Sequence, residues 1–149
     1  MKPVSVSIEV PQSRDRVYDF LDVLGNHERF TDHFLVDWEV SGPQRGVGAR
    51  AHMRVKSPGI NDALDMEVVA AVSPRMTAEE SIGANGRRRT RGTYRLESTP
   101  NGGTSIDFEL AWLEAPLIER LTAPLTRAVL RRANAKSLRR LAVRLAQVA

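Results

Sequence analysis

The chain has 149 residues, 42% hydrophobic and 27% charged, which suits one globular domain with a sizeable core. It contains no cysteine, so a disulfide framework, a thiolate metal site and a thiol nucleophile are all excluded. No apolar run approaches the ~18 residues of a membrane span. The N-terminal MKPVSVSIEV alternates instead of forming the apolar core of a signal peptide, so the expected location is cytoplasmic. The net charge of +4 is unevenly spread: residues 115–149 hold eight Lys/Arg and a single acid, while residues 1–114 hold 14 basic and 17 acidic residues.

Val4, Val6, Ile8 and Val10 alternate with polar residues and predict a strand ended by Pro11. Ser13 is placed to cap a helix that carries Val17, Phe20, Leu21 and Leu24 on one side. Gly25-Asn26 stops it, and a short helical piece over His27–His33 follows. Six strands are then expected, each bounded by turn residues: Phe34–Val40, Ala49–Val55, Leu64–Ala70, Met76–Ile82, Thr90–Leu96 and Ile106–Trp112. From Ala115 onward leucines recur at helical spacing, with Pro124 expected to kink or split the helix. Consecutive strands pair with their neighbours, which gives an antiparallel sheet, and only the long C-terminal helix is large enough to cover its apolar face. Nothing divides the chain, so residues 1–149 read as a single domain.

Several segments, taken together, resemble a known family. They are Ser5 to Pro11; Ser13-x-x-x-Val17-Tyr18-x-Phe20-Leu21; Gly42-Pro43 with Gly46-Val47-Gly48; Gly92-x-Tyr94-x-Leu96 with Gly102-Gly103-Thr104; and the arginine-rich helix ending Ser137-Leu138-Arg139-Arg140-Leu141. In this order the chain is similar to the polyketide cyclase/dehydrase and lipid-transport branch of the START-type, pollen-allergen-like helix-grip (SRPBCC) superfamily. The resemblance covers roughly residues 3–146. It implies an α+β helix-grip fold, with a seven-stranded curved antiparallel sheet wrapped around a long C-terminal helix and two short helices after the first strand. It also implies a hydrophobic cavity between sheet and helix, in proteins that range from ligand carriers to aromatase/cyclases.

Strand alternation sorts side chains by face. The inward set is Val36, Trp38, Ala51, Met53, Leu64, Met66, Val68, Ala78, Glu80, Thr90, Tyr94, Phe108, Leu110 and Trp112. Arg50, His52, Arg54, Lys56, Arg89, Arg91 and Arg95 fall on the solvated face. Glu80 is the one inward carboxyl, a candidate proton donor or acceptor with Tyr94 nearby, unless a bulge or edge position leaves it in water. His27 and His33 lie near the expected cavity mouth, but six residues apart they do not face one another on a helix, and no metal site or other cofactor is expected. On the terminal helix Asn134, Leu138, Leu141 and Leu145 share one stripe, Arg131 can reach the cavity rim, and the small Ala128 leaves room for a ligand or for close packing.

The expected ligand-binding set is therefore Trp38, Met53, Met66, Glu80, Thr90, Tyr94, Phe108, Trp112, Ala128, Arg131 and Asn134, with Glu80 and Tyr94 as catalytic candidates. The function this suggests is binding of a small hydrophobic molecule such as a lipid, a sterol-like compound or a polyketide. Two alternatives stand beside it: a polyketide cyclase/dehydrase-type enzyme, and an interaction module that uses the basic helix face. Residues 115–149 contain no aromatic side chain for base stacking, so nucleic acid is not an expected partner. Arg132, Lys136 and Arg140 offer transient contact with an anionic membrane.

Overall fold

The computed structural model describes residues 1–147. Strand β1 (Val4–Val10) leads into helix α1 (Arg14–Asp22), where the Ser13 hydroxyl accepts a hydrogen bond from the Arg16 amide. A single 3₁₀ turn (Leu24–His27) and helix α2 (Glu28–Thr31) follow. Six strands come next: β2 (Leu35–Ser41), β3 (Arg50–Val55), β4 (Ala63–Val72), β5 (Met76–Gly83), β6 (Arg88–Ser98) and β7 (Thr104–Glu114). They meander antiparallel, and β1 adds to the far side of β7, giving one seven-stranded sheet in the order β1-β7-β6-β5-β4-β3-β2. The chain is therefore an α+β helix-grip structure, with β1 and β2 at opposite edges.

The C-terminal helical region is split where the proline demands it. Helix α3 (Leu117–Leu121) stops at Thr122, and α4 (Ala123–Gln147) starts afresh with Pro124 in its first turn. A proline there sacrifices no helical hydrogen bond, because first-turn amides have no intrahelical partner. Helix α4 buries Thr126, Leu130, Asn134, Ser137, Leu138, Leu141 and Leu145. Two apolar clusters result. One joins α1, α2, β6 and β7 to the end of α4 through Val17, Phe30, Tyr94, Ile106, Leu138 and Leu141. The other joins β2, β3 and β4 to the start of α4 through Leu35, Met53, Val55, Met66, Val68 and Leu130.

Two strands depart from simple alternation. In β2 the pairing with β3 shifts between Val36 and Glu39, and Asp37 lies at φ 59° inside this bulge. Val36 pairs with Arg54 of the solvated face, so its expected inward place is corrected to outward. The extra residue leaves Trp38 facing the interior. In β5 the whole phase is inverted: Thr77, Glu79, Ser81 and Gly83 are buried, whereas Ile82 is 43% exposed. The apolar residues of this strand do not mark its inner face, because that face lines a hollow with polar groups.

Leu141 is fully buried at the helix–sheet seam. Its replacement by alanine should remove about 2–5 kcal/mol of stability, read as a lower denaturant midpoint with unchanged slope.

Candidate functional site

Where the two apolar clusters meet, α4 does not fill the sheet, and two adjoining chambers remain. The upper chamber has a volume of about 80 Å³ and the lower about 30 Å³. Phe34, Leu35, Met66, Glu79, Phe108 and Asn134 line both, so the wall between them is built from a few side chains. The upper chamber adds Val55, Ile60, Leu64, Thr90, Leu110, Trp112 and Leu130, and the lower adds His27, Trp38, Tyr94 and Leu138. For scale, a cavity of ~150 Å³ accepts benzene, so even the two chambers together fall short of one ring, and a ligand of that size has to displace side chains of the lining.

The chemistry of the wall is concentrated on Glu79. It is 8% exposed, and its register partner on β6 is Gly92. A Cβ at position 92 would lie 2.9 Å from Phe108 Cε1 and 3.3 Å from Glu79 Oε1, so the glycine is what leaves room for both the carboxyl and the ring. Burial pushes the Glu79 carboxyl up to about 8. The nearest base is His27, whose Nδ1 lies 3.6 Å from Glu79 Oε2. His27 Nε2 lies 2.8 Å from the Leu21 carbonyl and so carries the hydrogen, which leaves Nδ1 with its lone pair toward Glu79. Burial pulls His27 down to about 4, against the opposing effect of the Leu21 hydrogen bond. At neutral pH the two groups are thus in contact as an acid and a base that are both uncharged, too far apart for a hydrogen bond.

Aromatic rings surround this pair. The Tyr94 ring stands edge-on to His27 at 5.5 Å and against Phe108 at 4.5 Å, and Phe30 packs on His27 at 5.2 Å. Burial, and secondarily Glu79, raises the Tyr94 phenol well above its ordinary value. Two donors of the lining are unpaired: among the described residues Trp112 Nε1 and Asn134 Nδ2 find no hydrogen-bond partner, unlike Trp38, whose Nε1–H donates to the Leu35 carbonyl at 2.9 Å. An unpaired buried donor costs about 1–3 kcal/mol, which an incoming oxygen would relieve.

At one end of the upper chamber sits an ionic cluster. The buried Arg88 guanidinium donates to Glu119 of α3 (3.0 Å from Nε) and to Asp62 of the β3–β4 connection (2.9 and 3.0 Å). Burial works against its charge, but the bonds to Glu119 and Asp62 outweigh it and raise the pKa. One cation held by two carboxylates has no charge left to attract an anionic ligand. Among the described residues no group of three or more His, Asp or Glu is gathered closely enough to hold a metal ion.

Met66, Thr90, Tyr94, Phe108, Trp112 and Asn134 line the chambers as the alternation of their strands and helix implies, and Trp38 does so through the β2 bulge. Met53 is wholly buried in the β2–β4 core and lines neither chamber. Ala128 and Arg131 are corrected to the exposed side of α4, turned away from the buried stripe through Leu130 and Asn134. The inward place of Glu80 is corrected as well: it points to the outer face, where Arg91 Nη2 donates to it at 2.7 Å, and Glu79 holds the interior position. Consecutive residues of a strand face opposite ways, so the Glu79-Glu80 pair sends one carboxyl inward whichever phase is chosen. That signal was present in the sequence. The outer-face assignment of His52 holds: its Nδ1 lies 2.8 Å from exposed Asp65. Arg140 is engaged by Asp32 and is not a free cation.

The pH dependence follows from the two signs. Glu79 is raised when folded, so its contribution is complete below about 4.5 and is lost as pH climbs to about 8. His27 is lowered when folded, so its contribution is complete above about 6.5 and is lost as pH falls to about 4. The two slopes oppose each other between 4.5 and 6.5, and only Glu79 acts between 6.5 and 8. Stability should therefore decline over that upper interval, and Glu79→Gln should flatten the decline, as measured by urea titrations at each pH.

The sequence matches the family described as polyketide cyclase / dehydrase and lipid transport over residues 1–146. No match was found among curated proteins. Solved structures share the fold at low identity. A protein of Thermus thermophilus superposes with a TM-score of 0.81 at 17% identity, covering 99% of each chain. The Zhui aromatase/cyclase of a Streptomyces species gives 0.75 at 16%, covering 98% of this chain and 94% of its own. A START superfamily protein of Mycobacterium smegmatis gives 0.74 at 10%, covering 99% of each. With a family match along nearly its whole length and a helix-grip structure around an internal hollow, the chain belongs to the polyketide cyclase/dehydrase and lipid transport family.

Proposed function

We propose that this protein binds a small, uncharged, mainly apolar molecule that carries at least one hydrogen-bond-accepting oxygen, of which a polyketide-like aromatic ketone is the type. The observation that carries this reading is the pair of adjoining chambers, walled by aliphatic and aromatic side chains and holding unpaired donors at Trp112 and Asn134. Affinity would come from burying apolar ligand surface, at roughly 25 cal/mol per Å². Orientation would come from the few polar groups. The neutral state of Glu79 and the saturation of Arg88 favour an uncharged ligand over a fatty acid or other anion.

Both tryptophans of the chain line the chambers, Trp38 the lower and Trp112 the upper, so ligand entry has an intrinsic reporter. Titration with 1-indanone should shift their emission in a saturable way and stabilise the fold by about 2.7 kcal/mol at a hundredfold excess over Kd, read as a higher melting temperature. Leu130→Phe, which grows a side chain into the upper chamber, should weaken binding at least tenfold. If acetophenone, 1-indanone and 2-naphthol all leave emission and melting unchanged, the chambers are a packing defect and the reading is wrong.

A second reading is favoured by one contact: the protonated Glu79 carboxyl beside the neutral His27 imidazole. Such a couple can donate a proton to a bound carbonyl oxygen and accept one from the adjacent carbon, as enolisation requires. The protein should then speed deuterium exchange at the α-carbon of 1-indanone. Glu79→Gln should cut that rate about 100-fold or more while Kd stays within about threefold. Equal exchange rates for the two proteins would leave ligand binding alone.

A further inference from the structure

Five of the large hydrophobic residues left in solvent fall in one short stretch. Leu113, Leu117, Ile118, Leu121 and Leu125 are 51–71% exposed. They occupy the end of β7, helix α3 and the first turn of α4. Apolar exposure concentrated in one stretch of chain marks an interaction surface. The exposed face of α4 continues from Leu125 through Ala128 to Arg132, Lys136 and Arg139, at spacings of three or four residues that keep them in line. Helix α4 holds seven Lys/Arg and no acid. The acids nearest the patch are already engaged: Glu119 by Arg88, and Glu114 by Arg89 at 4.0 Å.

We infer that α3 and the outer face of α4 form a docking surface for an anionic lipid bilayer, with the leucines entering the acyl boundary and the basic stripe lying along the headgroups. The order of the two zones matches the depth profile of a membrane interface, with apolar side chains at one end and cations beside them. Charge complementarity argues for this occupant over the others. A second copy of the chain would bring one acid-free basic stripe against another. Nucleic acid would meet the cations, but residues 115–147 offer no aromatic ring for stacking, and five exposed leucine-type side chains would gain nothing from phosphates. The site is also placed where a membrane contact would matter. Trp112 lines the upper chamber just before Leu113, and Glu119 of α3 holds Arg88 at the same chamber.

The test is flotation of the full chain with vesicles of phosphatidylcholine alone and of phosphatidylcholine with about 30% phosphatidylglycerol, in about 0.1 M and about 0.5 M NaCl. Binding should be at least tenfold stronger to the anionic vesicles and should fall at least tenfold at the higher salt, as screening of surface charges requires. The double variants Leu121→Ser/Leu125→Ser and Arg132→Glu/Lys136→Glu change exposed residues only, so thermal melting should be unaltered while each loses tenfold or more in vesicle binding. Three outcomes overturn the inference: no recovery with anionic vesicles, recovery that neither double variant reduces, or a dimer in solution that Leu121→Ser/Leu125→Ser dissociates.

Discussion

A single helix has to cover the inner face of seven strands. At about 4.8 Å between neighbours the sheet is roughly 29 Å across, whereas one helix with its side chains is about 10–12 Å wide. Helix α4, α1 and α2 therefore leave part of the concave face uncovered, and the structure resolves this as two clusters with a hollow between them. The cavity is a geometric consequence of the layer arrangement. What the sequence chooses is its lining, and it has placed Glu79, His27, Asn134 and an unpaired indole there, where aliphatic side chains would have cost less.

Electrostatically the molecule has three zones. The outer face of the sheet carries exposed pairs such as Arg50–Glu67 and Arg91–Glu80, which contribute little to stability. The end of the upper chamber carries the buried Arg88 cluster, whose members tolerate burial because each finds hydrogen bonds in a forked geometry. The chambers themselves are kept neutral. A charged exterior thus encloses an uncharged interior, and Glu119 ties α3 to the Arg88 cluster at the boundary between them.

Much of this organisation was legible in the sequence. Strand order, the short helices after β1, the split at Pro124 and the buried stripe Asn134-Leu138-Leu141-Leu145 all follow from period and turn chemistry. The lining of the hollow was legible where strand and helix period hold, Thr90, Tyr94 and Asn134 included. On β5 the rule that the apolar face turns inward fails, because Met76 and Ile82 sit on the outer side and Thr77, Glu79 and Ser81 on the inner. The same rule turns Glu80 inward and Glu79 outward, the reverse of the structure. In β2 a one-residue bulge at Asp37 moved Val36 out, an irregularity that periodicity cannot express. Ala128 and Arg131 are near Asn134 in sequence, but helical phase turns both to the exposed face of α4.

Gly92 extends beyond its own strand in what it implies. Because its missing side chain is the seat of both the Glu79 carboxyl and the Phe108 ring, the three positions form one volume shared among three residues on three adjacent strands. Substitutions across descendants of this sequence should then be correlated at 79, 92 and 108. A lineage that acquires a side chain at 92 must shorten one of its neighbours, and a lineage that keeps the acid and the ring is confined to glycine. Such a constraint makes the interior carboxyl traceable in sequence alone, through the residue opposite it, even where strand phase is misread.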